Sequence, residues 1–396
     1  MKQITIKNLP DALRLIKEMR LASACEWAGS YREAAKAAMV SVLREEMETL
    51  VGQRLAWASQ KGIQDRRNGT YTRHVLTELG DVLLSVPRTR QFSPNRVIAA
   101  YARRTREVDE LILASFLLGL STRKVGTVLS TILHERVSPQ TVSRVAKTLD
   151  TAVSAFHRRR LPNRYKALIL DGVMIRRKTG MGAITRPVLV ALGLRHDGKK
   201  EVIDFRSVRS ESGPAWEAFL TDLMRRGLTA DHLEVICADG GQGLLSILPF
   251  VYPHVPLQRC WAHKMRNIMS RIRRVDQKRV KNGLTKIYQA QGMGEARHSA
   301  KQWMEHWEGL YPKAVSCLQD DIEELLTCFS FSDPDFRKAI RTTNAIERRF
   351  REVRRRTRPM GVMSDRTSME RILYAVFTNE NISAGVYPVF SLTQNS

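Results

Sequence analysis

"KALILDGVMIRRK", residues 166–178, sets an acidic side chain, Asp171, directly behind the apolar run 167–170. Such a run reads as a buried strand. A carboxylate there is costly to bury without a partner or a metal. Two more strands follow, "TRPVLVALGL" (185–194) and "EVIDFRSV" (201–208), joined across Asp197-Gly198, a strong hairpin signal. The three strands therefore form an antiparallel meander. "GPAWEAFLTDLMRRGL" (213–228) reads as a helix with Gly227 at its C-terminal end, and "LEVICADGG" (233–241) as a strand that delivers Asp239 at its tip.

Strand, strand, strand, helix, strand is the order of the ribonuclease H-like fold, an α/β class. In that order the first and fourth strands are parallel neighbours, and a crevice opens at their carboxyl ends, which would bring Asp171 and Asp239 side by side. Asp239-Gly240 would also suit a plain turn. A third carboxylate stands in "RTTNAIERRFREVRRRTR" (341–358), where Ile346, Phe350 and Val353 give one apolar helical stripe. Glu347 lies beside that stripe. Arg351, Arg354 and Arg358 follow on the face of Glu347, where they could meet phosphates. The alternative is a capping box, with Asn344 as cap and Glu347 reaching back to its amide. Arg371 is expected to continue the same positive channel.

Charge narrows the partners. Lys+Arg of 65 against Asp+Glu of 40 gives a net +25, a field that draws polyanions. A membrane span would need an apolar run of about 18 residues, and none approaches it. With 396 residues and 43% hydrophobic content the chain can hold two or three domains with real cores. The opening residues lack a continuous apolar segment, and five scattered cysteines fit a reduced compartment, so an intracellular, cytoplasmic protein is expected. No Gly-rich phosphate loop is visible, which argues against an ATP requirement.

Upstream, residues 1–65 read as helical through "LRLIKEM" and "AAKAAMVSVLREEMETLV". Residues 66–90 read as a basic hairpin around Gly80-Asp81, with Val82, Leu84 and Val86 alternating; it suits phosphate contact or a solvated sheet edge. Three helical segments follow, "VDELILASFLLG", "STRKVGTVLSTILHE" and "SPQTVSRVAKTLD", at helix-turn-helix spacing. In the third, Val142, Val145 and Leu149 would face inward, leaving Gln140, Arg144 and Lys147 as candidate DNA contacts; the alternative is a plain three-helix bundle. Residues 276–340 read as successive amphipathic helices. Trp303 and Trp307 share a face there, suited to base stacking but more often to core packing. "CWAH" gives Cys260 and His263 a zinc-like spacing, but zinc is disfavoured because no second pair stands at suitable spacing.

Taken together, "RNGTYTR" with "LTELGDVLLSVPRTR", "LLGLSTRKV" with "VSPQTVSRV", "LILDGV", "ESGPAWEAFLTDLMRRGL", "VICADGGQGLL", "QRCWAHKMRN" and "IRTTNAIERRFREVRRRTR" resemble, in order and spacing, bacterial insertion-sequence transposases of the Mutator family. The resemblance extends from about residue 65 to 380. It implies a ribonuclease H-like catalytic domain with an all-helical insertion, preceded by an α-helical, helix-turn-helix DNA-binding region. By motif it maps an Asp, Asp, Glu triad onto Asp171, Asp239 and Glu347, holding two Mg²⁺ or Mn²⁺ ions. It places Cys260 and His263 close to the active site, with Arg266 adding positive charge for DNA. The implied substrates are double-stranded terminal inverted repeats and target DNA, held by a homo-oligomer at the nucleoid. One departure is "DGVMIRRK", where the family commonly shows an aromatic soon after the aspartate. The expected divisions are 1–65 (helical), 66–160 (hairpin and helix-turn-helix), 161–275 (catalytic core), 276–340 (helical insertion) and 341–396 (core, last part). A catalytically silent DNA-binding descendant, or a nuclease or resolvase on the same fold, are the alternatives.

Overall fold

The computed structural model describes residues 24–95, 97, 102–117, 120–133, 135, 137–179, 182–358 and 366–386. Its contacts divide the chain into two compact units, 1–147 and 148–396. The "LRLIKEM" segment lies outside the described residues.

In the first unit a long helix, α1 (Ala24–Gln60), precedes a hairpin of β1 (Arg67–Thr77) and β2 (Gly80–Thr89). Strand alternation sends Val82, Leu84 and Val86 to one face, where with Val75 they bury against Met47 of α1. Three helices follow: α2 (Arg106–Leu117), α3 (Thr122–Leu133) and α4 (Pro139–Ala146). The start of α4 is fixed chemically: Ser138 Oγ accepts the Thr141 amide at 3.1 Å, and Pro139 supplies a preset φ at the first helical position. The approach to α4 passes so near α3 that a Cβ on Gly126 would lie 2.3 Å from the Val137 carbonyl oxygen. Val142 and Val145 are buried as expected, but Leu149 is not part of their helix. The Lys147 amide bonds back to the Ser143 and Arg144 carbonyls, and Lys147 and Thr148 form the turn that follows α4. Leu149 then starts α5 (Leu149–Arg158), with its own inward stripe of Leu149, Val153 and Phe156 in the second unit.

The second unit is built on a five-stranded mixed sheet in the order β5-β4-β3-β6-β7. The strands are β3 (Tyr165–Thr179), β4 (Gly182–Arg195), β5 (Lys200–Ser207), β6 (Val235–Ala238) and β7 (Leu257–Arg259). The first three form the antiparallel meander, turning through Gly198 at φ 78°, a conformation that glycine adopts without strain. β6 joins β3 in parallel, and β7 joins β6 in parallel. One face of the sheet buries Leu168, Leu170, Leu189 and Ile203 against Trp216, Phe219 and Leu220 of α6 (Gly213–Arg225).

Short helices α7 (Gln242–Leu245) and α8 (Leu248–Val251) lead to β7 and then α9 (Trp261–Met269). Five helices come next: α10 (Gln277–Gln289), α11 (Met293–Trp307), α12 (Pro312–Gln319), α13 (Ile322–Leu326) and α14 (Pro334–Ile340). Trp303 and Trp307 belong to their core: the Trp303 indole donates to the Val280 carbonyl at 3.2 Å and packs against Gly283. Neither ring is free to stack on a base. The chain returns through α15 (Asn344–Thr357) and α16 (Arg366–Ser383). α15 buries the expected stripe of Ile346, Phe350 and Val353. Arg371 departs from expectation: it is buried and grips the Asp150 carboxylate with two nitrogens, at 2.5 and 2.8 Å, so it ties α16 to α5 instead of lining a channel. Among the described residues no helix is long and apolar enough to cross a membrane.

Candidate active site

The register of β3 with β6 ends on the pair Leu170 and Ala238. Asp171 follows on β3 and Asp239 directly after the end of β6, so parallel pairing alone makes them neighbours. Asp171 is 3% exposed, and Asp239, where β6 has just ended, is half-buried and accepts the Gly241 amide at 3.1 Å. His263 of α9 joins them: one ligand atom from each of Asp171, Asp239 and His263 lies within 4.8 Å of the others.

Cys260 and His263 have a visible structural task. The Cys260 amide donates to the Ala238 carbonyl at the end of β6 (2.8 Å), and its Sγ accepts the Thr343 amide at 3.3 Å. His263 Nδ1 lies 3.4 Å from the Thr343 hydroxyl, and the Trp261 amide donates to the Arg341 carbonyl at 3.0 Å. Thr343 is the residue before α15, so this loop fastens the start of α15 to the strand ends.

Glu347 lies in the first turn of α15, 41% exposed, and its Oε1 accepts Arg266 Nη2 of α9 at 3.1 Å. The capping box does not form: Thr343 holds the cap position without a side-chain bond, Asn344 is already helical, and Glu347 turns to Arg266. Glu347 is close enough for its charge to act on Asp171, yet it stands outside the tight Asp171, Asp239, His263 group.

The electrostatics follow from crowding. Burial raises the Asp171 carboxyl to about 7; His263 and a Thr343 hydrogen bond oppose the rise, and the charges of Asp239 and Glu347 add to it. A hydrogen bond to Cys260 raises His263 to about 9 against the effect of burial, with Asp171 and Asp239 contributing. Burial alone would push the Cys260 thiol up, but its bonds to His263 and Thr343 outweigh this and lower it. A buried carboxylate with two acidic neighbours fits a hard cation, which takes oxygen ligands and would offset the charge they share.

Glu211 was not singled out from sequence. Its carboxylate packs against Gly172, where a Cβ would fall 2.3 Å from Oε1, and it accepts the Trp216 indole N–H at 3.3 Å. Burial, then the charge of Asp239, raises its pKa. The available signal was the glycine directly after Asp171.

The basic candidates fall in separate places. Gln140, Arg144 and Lys147 are exposed at α4 in the first unit. Arg351, Arg354 and Arg358 are exposed on α15, and none has a carboxylate within ion-pair distance among the described residues. Arg349 and Arg356 of the same helix are buried.

Residues 9–384 match the family described as "Transposase, Mutator family". The chain belongs to the Mutator family of transposases. It is 28% identical over 354 residues to the transposase for insertion sequence element IS905 of Lactococcus lactis, covering 89% of each chain. To the transposase for ISRM5 of Rhizobium meliloti it is 29% identical over 354 residues, covering 88% of each. To the transposase for IS256 in transposon Tn4001 of Staphylococcus aureus it is 29% identical over 340 residues, covering 84% of this chain and 86% of that one. In this Mutator-family transposase the two aspartates at the strand ends and the glutamate on α15 thus share one neighbourhood with the Cys260 and His263 loop.

Proposed function

We propose that the chain binds the terminal inverted repeats of an insertion sequence and cuts and rejoins DNA strands with Asp171, Asp239 and Glu347 as the acids. One observation carries this reading: in a Mutator-family chain, parallel register sets Asp171 beside Asp239, with Glu347 near them on α15. The strand order, with β3 central between an antiparallel pair and a parallel pair, is the support for a ribonuclease H-like core, into which the helices of 276–340 are inserted. Phosphoryl transfer needs an activated oxygen, an in-line leaving group and relief of developing charge. Two divalent cations, Mg²⁺ or Mn²⁺, which the three acids would hold, would supply the activation and the charge relief.

The chain's own residues do the rest. Asp171, deep at the strand end, and Asp239 give an oxygen-rich floor. His263, held charged, balances them before substrate arrives and is poised to orient a phosphate. Arg266 pairs with Glu347 and would release it to a cation. Arg351, Arg354 and Arg358 face the solvent side, where the DNA backbone would run. In the first unit, α3 and α4 form a helix-turn-helix with Gln140, Arg144 and Lys147 toward DNA, within a binding region that takes in the hairpin. Joining both ends of one element to a target calls for at least two copies, hence a homo-oligomer working at the nucleoid.

Replacing Arg144 and Lys147 together with Glu should weaken binding to the terminal repeats at least about tenfold and flatten its salt dependence, since each lost phosphate contact lowers the salt slope by about 1. Equal affinity in a filter-binding titration would remove α4 from the interface. The catalytic half is tested by expressing the protein beside a marked DNA flanked by its terminal repeats. Unaltered protein should produce excision or strand-transfer junctions, and Glu347→Gln should lower them at least about 100-fold while leaving repeat binding intact, since an acid that holds the cations supports charge relief worth several kcal/mol. Junctions at the unaltered rate from Glu347→Gln would return that residue to a surface ion pair. Nicks without junctions would favour a nuclease.

A further inference from the structure

The helices that carry His263 and Glu347 turn their neighbouring residues, Ala262, Met265 and Arg348, into a cavity of about 660 Å³. Its wall holds five cations from separate elements: Lys200 opens β5, Lys281 lies on α10, Lys338 on α14, Arg341 in the turn before α15, and Arg348 on α15. Asp335 alone opposes them among the lining residues. None of the five has an ion-pair partner among the described residues. A solvated helix face would explain several lysines in a row on one helix. It does not explain five elements delivering one cation each to a common hollow.

Two of the five are held in place at some cost. Arg341 donates to the Tyr288 carbonyl and lies over the Tyr288 ring, 5.4 Å from its centroid, so its guanidinium is preset. Lys200 is half-buried, and burial, with the charges of Arg349 and Arg348, lowers its amine below the usual value. Unpaired like charges gathered in a concave site are an arrangement that a bound anion relieves. The volume lies in the range of roughly 300–1,000 Å³ typical of small-ligand sites. A duplex offers its phosphates on a convex outer surface, whereas a half-buried lysine is reached by one unpaired strand.

We propose that this cavity holds a phosphate-bearing nucleotide of an unpaired DNA strand running past the acids; this rests on the transposase reading above. The shared chemistry, a nucleotide phosphate, could come from DNA or from a free nucleotide, and the test separates the two.

Full-length protein, in chelator so that no cleavage intervenes, is titrated with a blunt terminal-repeat duplex and with the same duplex carrying a short unpaired flank. The unaltered protein should bind the flanked DNA more tightly. Lys281→Glu with Lys338→Glu, both exposed, should lose that gain by about tenfold and lower its salt slope by about 1.4, at about 0.7 for each single-strand contact. Binding to the blunt duplex and the melting temperature should not change. Equal weakening on both DNAs would assign the lysines to the general positive field and overturn the pocket. An unchanged gain would overturn it as well. A nucleoside triphosphate or inorganic phosphate, added at constant ionic strength, should leave the gain intact; abolition of the gain would give the cavity to a free nucleotide and overturn the strand. Failure of the unaltered protein to bind either DNA would strike the transposase reading itself.

Discussion

Asp171→Asn will bind terminal-repeat DNA with unaltered affinity and cut it at least about 10³-fold more slowly. The substitution keeps the shape of the side chain and removes its charge and one strong oxygen donor at the junction of β3 and β6. Loss of the charge stabilisation that an acid-held cation gives phosphoryl transfer is worth several kcal/mol, and about 4 kcal/mol corresponds to that rate factor. Stability should move the other way. Burial holds the folded carboxyl near 7 against an ordinary value of 3.8, so ionising it opposes folding in metal-free protein. A raised folded pKa contributes stability that is complete below 3.8 and lost as pH rises through 7. Asn has no such loss. The variant should therefore melt above the parent at pH 8 in chelator, and that advantage should vanish below pH 3.8. Cleavage within tenfold of the parent, followed on a labelled strand, would remove Asp171 from the chemistry.

Phe350→Ala will destabilise the second unit by about 3–5 kcal/mol, the usual range for deleting a buried aromatic. Phe350 is fully buried; its ring meets Phe377 of α16 edge-on at 5.5 Å, and Phe377 meets Phe205 of β5 at 5.3 Å. Losing this stack leaves a cavity under the helix that carries Glu347. For a unit of this size the melting temperature should drop by roughly 6–20 °C. Phe350→Leu, closer in volume, should cost far less and keep most activity. A loss below about 1 kcal/mol for Phe350→Ala in a reversible melt would mean that α15 is held elsewhere.

How far the sequence could be read depends on the residue. The turn at Asp197-Gly198, the alternation through Val82, Leu84 and Val86, and the stripe Ile346, Phe350, Val353 are local patterns, and local physics sufficed for them. The meeting of Asp171 and Asp239 needed only one further step, the strand order. Four features went unread, three of them because they depend on contacts between distant segments. Arg371 and Arg354 look alike in sequence, yet Asp150 captures only the first. Leu149 kept the spacing of a continuing helix, but that helix ends at Ala146 and Leu149 opens the next one. Glu211 gave no periodic or spacing signal, and its position follows from the missing side chain at Gly172. The choice between a cap and a partner for Glu347 depended on Arg266, which is remote in sequence and adjacent in space.

The fastening of residues 260, 261 and 263 to residues 341 and 343 has a consequence for how such a chain can change. Helices α10 to α14 leave and return beside this stitched point, which ties the start of α15 directly to α9 and the strand ends. Parts of the excursion away from Tyr288, Asp321 and Leu325, which hold Arg341, Lys264 and Trp261, could be lengthened or remodelled while Glu347 kept its place. The distance between the acids along the chain is thereby uncoupled from their distance in space. Selection can rework the outer surface of this excursion without retuning the carboxylates.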